Sequence, residues 1–121
     1  MIKMERIMFK GKIHRATVTE ANVDYEGSIT VDEELLNAAD ILVGEKVQVL
    51  NLRNGERLET YTIKGKKGSG VICLNGPAAL KGKVGDKVVI ISYINVDEKE
   101  VKSFKAKTVL VDDDNKIVKL V

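Results

Sequence analysis

Val43-Gly44-Glu45-Lys46-Val47-Gln48-Val49-Leu50 recurs 41 positions later as Val84-Gly85-Asp86-Lys87-Val88-Val89-Ile90-Ile91. At the same offset Val31 falls on Ile72, Ala38 on Ala79, and Gly27-Ser28 on Gly68-Ser69. In each copy a glycine and an acid lead into a run rich in β-branched residues, the pattern of a turn that opens onto a strand. Two copies are too few for a solenoid, in which stacked neighbours complete one another's core. They suit a closed barrel of two related halves, because closure removes the edges that short strands would otherwise expose.

Working outward, strands are expected at Met8 to Val18, Lys46 to Leu52, Arg57 to Ile63, Gly70 to Leu74, Lys87 to Ile94, Thr108 to Val111 and Lys116 to Leu120. Asn54-Gly55 reads as a hairpin turn, since both residues tolerate positive φ. Asp112 to Asn115 reads as the turn between the last two strands. One segment reads as helix: Asp32 can cap Glu33 to Ala39, where Leu35, Leu36 and Ala39 share a face. No linker or low-complexity stretch divides the 121 residues, so a single domain is expected over 1–121.

The chain carries 20 Lys and Arg against 18 Asp and Glu, with the signs interleaved. That balance predicts no nucleic-acid or membrane surface. The basic stretch Lys64 to Gly68 lacks aromatics that could stack on bases and reads as a solvated loop. No long apolar run suggests a signal peptide or membrane span, and a cytoplasmic protein is expected. Cys73, without a partner cysteine, reads as a small buried apolar residue. With one histidine, His14, and no CxxC spacing, no metal site is expected.

The familiar catalytic templates are absent: there is no G-x-S-x-G elbow, P-loop or G-x-G-x-x-G. What remains is a constellation of Tyr25-Glu26-Gly27-Ser28, Arg57 with Thr60-Tyr61, and Asn75-Gly76. Each part also has a bland explanation: a strand opening, core or rim aromatics, a tight turn.

Taken together and in this order, these residues resemble the aspartate 1-decarboxylase family. Gly11-Lys12-Ile13-His14-Arg15 is similar to that family's opening motif and Tyr25-Glu26-Gly27-Ser28 to its self-cleavage site. Asn54-Gly55-Glu56-Arg57 with Thr60-Tyr61 resembles its substrate-binding hairpin. Asn75-Gly76-Pro77-Ala78-Ala79 and Val84-Gly85-Asp86 resemble its later signatures. The likeness runs from Met8 to about Asn115. Pro77 departs from the pattern, standing where many members have alanine, and it removes a backbone N–H.

The resemblance implies a six-stranded double-psi β-barrel with short helices, assembled as a homotetramer. It implies self-cleavage between Gly27 and Ser28 into a short N-terminal (β) chain and a longer C-terminal (α) chain that begins with a pyruvoyl group made from Ser28. That group, with no metal and no pyridoxal phosphate, would decarboxylate L-aspartate to β-alanine and CO2 through a Schiff base, for pantothenate and coenzyme A synthesis. Tyr61 would be the proton donor. Arg57, Thr60, Lys12, Asn75, Gly76, Pro77 and Ala78 would bind substrate, with His14 and Tyr25 in support. There is room for a helper protein in maturation. Two alternatives stay open: a non-enzymatic double-psi barrel that binds a partner, and a pyruvoyl enzyme acting on another acidic amino acid such as glutamate. Gly68-Ser69 lacks the preceding Tyr-Glu and is expected to stay intact.

Overall fold

The structure is a computed structural model describing residues 2–121. Its strands are β1 (Glu5–Thr17), β2 (Glu20–Asn22), β3 (Ser28–Asp32), β4 (Lys46–Asn51), β5 (Arg57–Gly65), β6 (Ile72–Asn75), β7 (Lys87–Asp97), β8 (Lys107–Val111) and β9 (Ile117–Leu120). Helix α1 (Glu33–Ala38) follows β3, and a 3₁₀ turn, Gly76–Leu80, follows β6.

Two residues, Val18 and Thr19, separate β1 from β2, so the pair acts as one bent strand. β1 lies antiparallel to β7, and β2 lies parallel to β6. Between those partners run β6–β3 antiparallel, β3–β5 parallel, β5–β4 antiparallel and β4–β7 antiparallel. The six strands close into a ring. β8 adds to the outer side of β1 in parallel, and β9 folds back on β8.

The ring has the two-fold internal symmetry that the repeat predicts. β4 pairs with its copy β7, and β3 pairs with its copy β6. β5 is parallel to β3 and antiparallel to β4, just as β1-β2 is parallel to β6 and antiparallel to β7. The polar contacts repeat as well. Lys10 Nζ bonds the Asp40 carbonyl and the Glu45 carboxylate. At the positions 41 later, Asn51 Nδ2 donates to the Lys81 carbonyl at 3.1 Å and to Asp86 at 2.8 Å. The Leu42 N–H donates to Glu45, and the Lys83 N–H donates to Asp86, each at 2.9 Å. Agreement at this level goes beyond the similarity of two Val-rich strands. The mainly β, double-psi barrel expected from the sequence is the fold of this chain.

Alternation puts Ile13, Ile29, Val31, Val47, Val49, Ile72, Leu74, Val88 and Ile90 inside the ring, where they are fully or almost fully buried. Each such side chain contributes about 1.5–3 kcal/mol on burial. Leu35 and Leu36 of α1 cap one end of this core. Asp32 accepts the Glu34 N–H at 2.9 Å as the N-cap, and it also accepts from the N–H groups of Gly68 and Gly70. One carboxylate thereby ties β3, the helix start and the loop before β6 together.

Some details differ from the sequence reading. The β4–β5 connection is longer than a two-residue turn: Asn51 N–H bonds the Glu56 carbonyl, and of Asn54-Gly55 only the glycine has positive φ, at 74°. β7 extends three residues past Ile94. β2 and the 3₁₀ turn have no counterpart in the expected strand and helix pattern. β1 carries a bulge between Ile13 and Ala16, where Arg15 takes φ of 65°.

Candidate active site

Ser28 opens β3 with its side chain facing away from the core. It is fully buried. Directly opposite it in the antiparallel ladder stands Asn75, and one step further Thr30 faces Cys73. The period of two puts all four side chains on one face of β3 and β6. The Asn75 Nδ2 donates to Ser28 Oγ at 3.0 Å and to Thr30 Oγ1 at 2.9 Å. The Ser28 hydroxyl donates to the Glu26 carbonyl at 3.0 Å. The Cys73 thiol donates to Asn75 Oδ1 at 3.1 Å. Burial first, then the nearby Glu20, push that thiol's pKa up, so the proton it donates stays in place.

Gly76 brings the chain hard against the residues before Ser28. It has φ of 62°, and a Cβ there would lie 2.6 Å from the Tyr25 carbonyl oxygen and 2.8 Å from the Gly27 nitrogen. Only glycine fits this approach, because both the φ and the space exclude a side chain. Pro77 follows at the start of the 3₁₀ turn, where a missing N–H removes no hydrogen bond of the turn. Its ring packs beside Gly27.

Gly27 itself lines an open cavity of about 380 Å³ together with Leu58, Glu59, Thr60, Tyr61, Pro77, Ala78 and Lys81. Of the residues singled out from sequence, this cavity brings Gly27, Thr60, Tyr61, Pro77 and Ala78 together. Ser28 and Asn75 sit just behind its Gly27 wall, and Tyr25 and Gly76 pack around the same turn. On the other side a groove of about 520 Å³ is walled in part by Tyr25, Thr30, Cys73 and Asn75.

Three expected residues lie elsewhere within one chain. Arg57 projects from the outer face of β5, where its guanidinium donates to Gln48 Oε1 at 2.8 Å. Tyr93 also donates to that oxygen, at 3.1 Å. Lys12 lies on β1 with its ammonium 5.2 Å from the centre of the Phe9 ring. It is separated from β5 by β7 and β4 in the sheet order. His14 lies opposite Leu110 of β8. Burial, followed by Lys12 and Arg15, lowers its pKa.

Sequence reasoning overlooked Thr30, Lys81 and the donor role of Cys73. Thr30 and Cys73 lie two residues from Ser28 and Asn75, a spacing that places them on the same faces once the strands are known. Lys81, paired with Glu56 at 3.3 Å, belongs to the segment after the 3₁₀ turn and carries no motif. Ser69, the duplicate of Ser28, sits exposed in a turn with its hydroxyl on the Lys66 carbonyl at 2.6 Å. Where Ser28 has Asn75, the other half has Glu34, on helix α1.

Among the described residues, no three His, Cys, Asp or Glu side chains gather as metal ligands, and no helix is long and apolar enough to cross a membrane. A family model described as "Aspartate decarboxylase" matches residues 4–118. "Aspartate 1-decarboxylase" of Carboxydothermus hydrogenoformans is 64% identical over 113 residues, covering 93% of this chain and 89% of that protein. The protein of the same name from Caldicellulosiruptor saccharolyticus is 63% identical, covering 93% and 88%. Among solved structures, a rationally designed protein titled mkDPBB_sym_86 overlays with a TM-score of 0.49 at 16% identity, covering 64% of this chain and 90% of its own.

Proposed function

Because the chain belongs to the aspartate decarboxylase family, we propose that its working form arises when Ser28 cuts the bond to Gly27 and becomes a pyruvoyl group. The reaction served is decarboxylation of L-aspartate to β-alanine and CO2, which feeds pantothenate synthesis. The observation that carries the proposal is the setting of Ser28. Its hydroxyl is wholly buried at the head of a strand, held by the Asn75 amide and the Glu26 carbonyl. The adjoining Gly27 opens onto a cavity shared with Thr60 and Tyr61.

The residues suit each step of the cut. Ser28 Oγ adds to the Gly27 carbonyl carbon. Its proton ends on the Ser28 nitrogen as the Gly27–Ser28 C–N bond breaks, which leaves an ester. Loss of the Ser28 Cα proton then expels the Gly27 carboxylate, and the dehydroalanine that remains takes up one water and releases ammonia to leave a ketone. Glycine at position 27 keeps the attacked carbonyl unshielded. The Thr60 hydroxyl supports the transient oxyanion, a donor role worth roughly 3–4 kcal/mol in such sites.

The pyruvoyl group supplies the electrophilic carbonyl and electron sink that the reaction needs. Around it, Tyr61 holds a proton at its phenol for delivery to the substrate Cα, and Pro77 and Ala78 form the wall, with Gly76 pressed against the turn behind it. The cavity of one chain lacks the carboxylate fork of Arg57, which points outward from β5. A homotetramer supplies it: a neighbouring copy presents Arg57, and Lys12 with it, to the open side of the cavity.

Intact-mass measurement of purified protein tests the cut. Two fragments, ending at residue 27 and beginning at 28, are expected, and Ser28→Ala should stay whole and inactive. A parent chain that stays whole through long incubation refutes the proposal. CO2 release should be faster from aspartate than from glutamate, since one methylene in a closed pocket is worth about 1–3 kcal/mol.

A further inference from the structure

We propose that Thr30 and Cys73 are positioning residues for the cut: together they hold the Asn75 amide in the orientation that turns its N–H, and not its carbonyl oxygen, toward Ser28 Oγ. The proposal rests on reading Ser28 as the nucleophile and adds the two side chains that aim its partner.

The argument is one of donors and acceptors. Ser28 has one proton, and it is committed to the Glu26 carbonyl at 3.0 Å. Toward Asn75 its oxygen can therefore only accept, so the amide must present nitrogen there. A side-chain amide can turn over by half a rotation at little steric cost, because its two ends have nearly the same size. What fixes it is the chemistry at each end. Thr30 Oγ1 anchors one end by taking the second N–H at 2.9 Å, and the Cys73 thiol, a donor and a poor acceptor, sets the direction by donating to Oδ1 at 3.1 Å. If the amide turned, its N–H would meet the thiol, a poor acceptor, and its oxygen would compete with Glu26 for the Ser28 proton. Asn75 and Cys73 are buried, whereas Thr30 is half-buried on the wall of the groove, so water replaces the Cys73 donor less readily than the Thr30 hydroxyl.

Alignment matters for the covalent step because Oγ gives up its proton as its bond to the Gly27 carbon forms. An N–H fixed on Oγ stabilises the developing alkoxide and holds it at one position relative to the carbonyl. An amide free to turn would spend part of its time offering oxygen to that same charge.

The test follows cleavage of freshly purified precursor by intact mass over time. Thr30→Val, which keeps shape and removes the hydroxyl, and Cys73→Ala should each cut about tenfold more slowly, the effect of one hydrogen bond at the upper end of the usual range. Thr30→Ser and Cys73→Ser keep the polar group and should cut within about threefold of the parent. Thermal midpoints are measured beside the rates on a Ser28→Ala background. Equal slowing in the conservative and non-conservative variants at either position would assign the effect to packing and overturn the proposal. Cleavage of Thr30→Val and Cys73→Ala at the parent rate would also overturn it while leaving Ser28 as nucleophile. A parent that is never cut removes the reading of Ser28 itself, and this proposal with it.

Discussion

Replacing Gly76 by alanine tests how tightly the turn after β6 is pressed against Gly27, at the bond proposed to be cut. Two costs add. A residue with a Cβ at φ of 62° is strained by roughly 1–2 kcal/mol. The added methyl would also lie 2.6 Å from the Tyr25 oxygen and 2.8 and 2.9 Å from the nitrogen and Cα of Gly27. All three are main-chain atoms that cannot swing aside, and overpacking of this kind costs about 1–3 kcal/mol. The sum, about 2–5 kcal/mol, is a large part of the total stability of an ordinary domain. Gly44 supplies the control: its φ is 85°, yet a Cβ there meets nothing within 4 Å. Gly44→Ala should therefore lose the first cost alone. Urea unfolding of both variants on a Ser28→Ala background keeps the chain whole and measures the difference, expected at about 1–3 kcal/mol. With Ser28 restored, Gly76→Ala should cleave far more slowly than Gly44→Ala, because the displaced atoms belong to the scissile unit. Equal loss of stability in the two variants, together with equal cleavage, would refute the claim that Gly76 is pressed against Gly27.

Arg57→Ala should still cleave but turn aspartate over roughly 100-fold less efficiently, as expected when a carboxylate loses a charged partner; normal kcat/KM would remove Arg57 from the site. Ser69→Ala should leave the position of the cut and the cleavage rate unchanged, the C-terminal fragment being lighter only by the lost oxygen, and a second cut at Gly68 in the parent would contradict that. Asp86, buried and bonded by Arg53 at 2.6 Å, has its pKa held well below the usual carboxylate range, chiefly by that guanidinium and by Asn51 and the Lys83 N–H. A depressed folded-state pKa gives stability that is present above the unfolded value of about 4 and is lost as pH falls below it. The acid side of the stability profile should therefore be shallower in Asp86→Asn than in the parent, and identical slopes below pH 4 would contradict the assignment.

The repeat at Val43 and Val84 made the barrel legible because duplicated turns and strands must occupy equivalent places in a two-fold ring. The capped helix was legible for a local reason: Asp32 and the apolar face of Leu35 and Leu36 lie within one short window. β2 was not. Its three residues are exposed, and what makes them a strand is the partner β6 some 50 residues away. Residue identity and order flagged Ser28, Thr60, Tyr61 and Asn75, but not which of them touch. Thr30 became part of the site only through the register that sets Ser28 opposite Asn75. Arg57 and Tyr61 share the outward face of β5 by alternation, yet a single chain cannot reveal what lies across from that face. Cys73 reads as an apolar filler from its solitude, a property of the sequence that says nothing about the oxygen beside its sulfur.

The closing of the ring through β1 and β2 bears on what the proposed cut would leave behind. Both strands lie ahead of Gly27, so the proposed scission would leave one sixth of the barrel on a separate polypeptide, zipped between β7 and β6 with β8 along its outer side. What was folding of one chain becomes association of two. Stability then obeys mass action, and unfolding should grow more concentration-dependent after processing than before. If the fragments part, the tether that once held the closing strand near its groove no longer exists, and reassembly must proceed by encounter in solution. The proposed cut would thus trade a fold that one chain can regain for one best assembled before the cut is made.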